Sequence, residues 1–90
     1  MTLAEIATAY LPLLERFKPD PMAAGMEVVL SLASLSAALE KHGKHEMGKK
    51  ISVLMLATIP IAEMPVPEGT EKVAAWLVQA LEDELRSFLE

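Results

Sequence analysis

The chain contains no cysteine, which excludes disulfides and thiolate metal sites together and suits a reducing compartment. Aromatic residues are scarce, one Trp, one Tyr and two Phe, so the interior must be aliphatic, with six methionines as adaptable filler. Also absent are a glycine-rich phosphate loop, a Gly-x-Ser-x-Gly elbow and a convincing pair of catalytic carboxylates. The expectation is a protein that is not an enzyme and needs no cofactor. The opening residues, Met1 to Glu5, lack the basic start, apolar stretch and small-residue cleavage site of a secretory signal, and a cytoplasmic location is expected.

What is present is a 90-residue chain, 52% apolar and with a formal net charge of −5. That length fits a single helical domain over 1–90, which on its own buries only about 60 to 65% of the surface that its unfolded form exposes. Domains of this size need support from disulfides, a metal, very regular packing or association. The negative charge keeps the protein soluble and argues against a nucleic-acid platform covering the whole surface.

The apolar pattern predicts an all-α fold, a four-helix antiparallel bundle with helices at about 2–18, 21–42, 46–64 and 68–89. In the first helix Leu3, Ile6, Ala7, Tyr10, Leu13, Leu14 and Phe17 recur at three- and four-residue steps, and Thr2 with Glu5 has capping-box spacing. Pro12 falls inside this helix on its polar side and is expected to bend it. Asp20 and Pro21 read as the N-cap and first residue of the second helix, and Gly43 as the left-handed residue that ends it.

The third segment, with Ile51, Val53, Leu54, Met55, Leu56 and Ile59, is apolar nearly all round. A buried strand is an alternative there, but nothing else in the chain offers a strand to pair with. Pro60 would thin the last turn, and Pro65 to Gly69 reads as a linker. The final helix is expected to turn Val73, Leu77, Leu81, Leu85 and Phe88 inward. Glu71, Lys72, Gln79, Glu82 and Arg86 would face water, with Glu82 and Arg86 as an i,i+4 pair.

The second and third helices each carry more than one apolar stripe. A lone bundle would leave a row such as Met22, Met26, Val29, Ala33 and Ala37 exposed, and the economical cover is a second copy related by a two-fold axis. The leading expectation is therefore a self-associating interaction module, a homodimer through these two helices that also presents surface to a heterologous protein. Trp76, at the border of the last helix's apolar stripe, is a candidate anchor; tryptophan in that position more often merely closes the edge of a core.

A second reading centres on residues 40–50, whose four lysines and two glutamates give +2 against −7 for the rest of the chain. Lys41, Lys44, Lys49 and Lys50 could meet the phosphates of an anionic ligand or nucleic acid. No arginine or aromatic ring is interleaved to stack on bases, so nucleic acid is disfavoured and a solvated turn is the plainer explanation. His42 and His45, flanked by Glu40 and Glu46, have weak metal-ligand spacing broken by Gly43, and no metal centre is expected. A membrane hairpin is disfavoured because Glu27 interrupts the second helix and the apolar run of the third falls short of the roughly 20 residues a span requires.

Overall fold

The computed structural model describes residues 2–20, 26–58 and 68–90, and they form four helices: α1 (Leu3–Phe17), α2 (Met26–Lys41), α3 (His45–Thr58) and α4 (Thr70–Ser87). The fold is an all-α four-helix bundle, and there is no strand among the described residues. The Ile51 run is helical as far as Thr58. The expected start of α2 at Asp20 and Pro21, the extension of α3 to 64 with its Pro60, and most of the linker lie outside the described residues.

α1 begins as its sequence dictates. Glu5 N–H donates to the Thr2 hydroxyl at 3.1 Å and Thr2 N–H donates to the Glu5 carboxylate at 2.9 Å, a complete capping box that satisfies two otherwise orphaned donors. The Thr2 backbone N–H, reinforced by its hydroxyl, holds the Glu5 carboxyl below the ordinary glutamate range. A depressed folded pKa contributes stability above the unfolded value, about 4.3, that is lost as pH falls through the lower folded value. The amide protection of the first turn of α1 is therefore expected to fall in that acid window. Glu5→Gln, which keeps the acceptor but cannot titrate there, should flatten the response; equal acid loss in both proteins by NMR hydrogen exchange would remove the capping box as its cause.

Between α2 and α3 the chain reverses in a Schellman turn. Lys44 N–H reaches the Leu39 carbonyl and Gly43 N–H the Glu40 carbonyl, both at 3.0 Å, while Gly43 adopts φ 74°, which glycine enters without steric cost. The short turn makes α2 and α3 antiparallel neighbours. They approach closely where α3 has Gly48, a buried residue whose missing Cβ leaves room for the Glu40 side chain. α4 runs antiparallel to α3: Lys50, near the start of α3, bonds Glu84, near the end of α4, at 2.6 Å. The ammonium of Lys44 lies 5.4 Å from the Phe88 ring centroid at the same end of the bundle.

The core is aliphatic, as the composition requires. Ile6, Ala7, Leu14 and Phe17 of α1 meet Leu32, Leu35 and Leu39 of α2, Met47, Ile51 and Leu54 of α3, and Ala74, Leu77, Val78, Leu81 and Leu85 of α4. Tyr10, Leu3 and Phe88 pack against this cluster while half-buried. The last helix departs from expectation at two positions. Val73 is 48% exposed, its place in the interior taken by Ala74 and Val78, and Glu82 is buried rather than in water. Both shifts have one cause: the buried stripe of α4 is rotated toward α1, whose Lys18 receives the Glu82 carboxylate.

Candidate interaction surface

Several large apolar side chains stand outside the core. Leu30 of α2 is 62% exposed, Leu56 of α3 73%, and Trp76 of α4 64%, with Val53 and Val73 about half exposed. Scattered single apolar residues need no explanation, so their grouping decides the matter. The Lys50–Glu84 ion pair sets the register of α3 against α4. One turn further along α3 from Lys50 stands Val53, and one turn back along α4 from Glu84 stands Ala80, followed on the same side by Trp76 and Val73. Val53, Val73 and Trp76 therefore lie toward one outer edge between antiparallel helices, while Leu56 stands farther round α3 on its outward side.

α2 presents a different row. Val29 is only 5% exposed, enclosed by its own chain, so the row anticipated through it is broken. Ala33 and Ala37 do face outward, and Leu30 joins them. Met22 and the Met26 side chain lie outside the described residues. α3 is likewise two-sided, with Ile51 and Leu54 fully buried and Val53 and Leu56 turned outward.

The lysines of residues 40–50 do not act as one free cluster. Lys50 is bonded to Glu84, Lys44 lies over Phe88, and Lys49 pairs with Glu46 at 3.4 Å, while Lys41 is exposed at the end of α2. The basic turn thus meets the acidic end of α4 in the same chain. His45 Nδ1 is hydrogen-bonded to Glu40, and among the described residues no three His, Asp or Glu side chains are grouped to hold a metal ion. No described helix is long and apolar enough to cross a membrane.

The charged residue that sequence reasoning assigned wrongly is Glu82. Its side chain is 2% exposed, with Oε1 2.5 Å from Arg86 Nη2 and Oε2 3.1 Å from Lys18 Nζ. The Lys18 contact is close enough for strong attraction without the alignment of a hydrogen bond. Arg86 reaches on to Glu15 of α1 at 3.6 Å, so two cations and two carboxylates tie the end of α1 to the C-terminal half of α4. A signal existed: Glu82 follows Val78 at the four-residue spacing of the buried stripe. Glu27, the charge that interrupts the apolar surface of α2, is exposed.

Compared with protein-family models, curated proteins and solved structures, this chain matches none. The described surface is that of a small helical domain without the grouped polar side chains of a catalytic motif.

Proposed function

We propose that this protein is a non-enzymatic helical interaction module that works by associating with a second copy of itself. The single observation that carries this reading is the set of large apolar side chains standing about half exposed or more on neighbouring helices, Val53, Leu56, Val73 and Trp76, on a domain too small to waste burial. The lysines offered to an anionic ligand support the alternative less well, since Lys44 and Lys50 already have partners within the chain.

Light scattering across a dilution series tests the proposal. A mass of twice the 9.8 kDa chain is expected at high concentration, falling toward one chain on dilution. A single-chain mass at every concentration would overturn it and leave a heterologous protein as the candidate partner. Binding of a labelled oligonucleotide that weakens steeply with added salt would instead favour the lysine turn.

A further inference from the structure

An interface between two identical copies about a two-fold axis must be complementary to itself. The outermost stripe of α4 has that property. Lys72, Trp76, Gln79 and Asp83 follow one another at four-, three- and four-residue steps, the spacing of a helix-pairing seam, and all four are exposed. A cation stands at one end, an anion at the other and the chain's single tryptophan between them. Val73 and Ala80 flank the seam on the side of α3 and widen its apolar middle.

Lys72 has no ion-pair partner among the described residues. Gln79 Nε2 donates to one oxygen of Asp83 at 2.9 Å, which leaves the other oxygen for a second donor. We infer that the protein dimerises by antiparallel packing of α4 on α4 of a second copy, with Trp76 as the anchor and Lys72 paired to the second copy's Asp83 at both ends. An axis passing between Trp76 and Gln79 sets the two indoles side by side, offset by about 4.5 Å along the helix direction. The same axis brings both Lys72–Asp83 pairs into register. Parallel packing would put lysine against lysine and aspartate against aspartate. The outer stripe of α2 also has charges of opposite sign at its ends, Glu27 and Lys41, but between them stand only Leu30, Ser34 and Ala37, with no aromatic side chain to serve as an anchor.

This inference rests on the self-association reading, and a charge exchange separates the two. Lys72→Asp and Asp83→Lys each put like charges at both ends of the interface, so either variant alone is expected to dimerise about tenfold more weakly than the wild type. Mixed in equal amounts they become complementary, and heterodimers with a Kd within about threefold of the wild type should form, seen by native mass spectrometry. Trp76→Glu should weaken association at least a hundredfold, on the order expected for losing a central aromatic anchor twice. These positions are exposed, and an unchanged helical circular dichroism spectrum verifies that each variant folds.

If the wild type dimerises but the mixture binds no better than its components, the Lys72–Asp83 pairing is wrong. If dimerisation survives Trp76→Glu but is lost in Leu30→Glu, the interface lies on α2 and the inference fails while the self-association reading stands. A monomeric wild type ends both.

Discussion

Leu54→Ala is expected to lower the unfolding free energy by about 3 kcal/mol or more, whereas Leu56→Ala, two positions along the same helix, should change it by less than about 0.5 kcal/mol. Leu54 is completely buried in the core and Leu56 is 73% exposed. Truncating the first removes apolar burial and leaves a void that the packed helices fill only in part; truncating the second removes contacts mostly with water. In a domain of this size the difference corresponds to a fall in Tm of at least about 12 °C for Leu54→Ala and almost none for Leu56→Ala. Denaturant melts of both variants, taken in the dilute regime where light scattering gives one chain, measure it.

The same pair tests the conformation of the stretch whose sequence was ambiguous. In a strand, residues 54 and 56 would share a face and the two substitutions would have similar effects; in a helix they stand on nearly opposite sides. Comparable losses would contradict the helix from His45 to Thr58 and the exposed edge built on it.

That ambiguity shows what this sequence reveals. α1 was legible because its apolar residues keep to one stripe and its first turn carries the Thr2 and Glu5 cap, and the structure follows both to within a residue. The reversal at Gly43 was legible because a left-handed residue there has a single physical use after a helix. The inward faces of α2 and α3 were not. When apolar side chains surround a helix, periodicity no longer points to the core, and the choice of Val29 over its neighbour Leu30 depends on where the other helices lie.

The surface was read with the same limits. Ala33 and Ala37 face outward as a lone bundle would leave them, but Val29 does not; Trp76 is exposed rather than closing the edge of the core, and Leu30, Val53, Leu56, Val73 and Leu89 are exposed as well. The charged lysine turn was visible in composition, yet its pairing with Glu84 and Phe88 joins residues far apart in the chain and leaves no local mark. Glu82 stands at the spacing of the buried stripe, but the cation that makes its burial tolerable comes from elsewhere in the chain. The general tendency of glutamate to remain in water applies until a cation from another helix arrives, and Lys18 arrives from the end of α1.

The Glu82 network yields an asymmetric expectation. Removing the anion, as in Glu82→Met, should leave stability unchanged or raise it by up to about 2 kcal/mol, because an apolar side chain of similar volume occupies the site without a desolvation cost. The two cations lose little, since the Lys18 and Arg86 side chains are 46% and 55% exposed and return to water. Removing the cations instead, in Lys18→Met with Arg86→Met, should cost about 2 to 4 kcal/mol, less than for a fully buried pair because both partners are half solvated. Here the 2%-exposed carboxylate is left without a counter-charge in a site that water cannot readily enter.

Thermal and denaturant melts of the two variants measure the asymmetry. A loss above about 2 kcal/mol in Glu82→Met would mean that the ion pairs contribute net stability beyond what the core supplies. An undisturbed Lys18→Met, Arg86→Met protein would mean that the carboxylate finds water despite its burial. The larger loss on the cation side is what a bundle held by its aliphatic interior requires. In such a bundle the Lys18–Glu82–Arg86 cluster sets how the end of α1 meets α4, while burial of Ile6, Leu14 and Phe17 against that helix supplies the attraction.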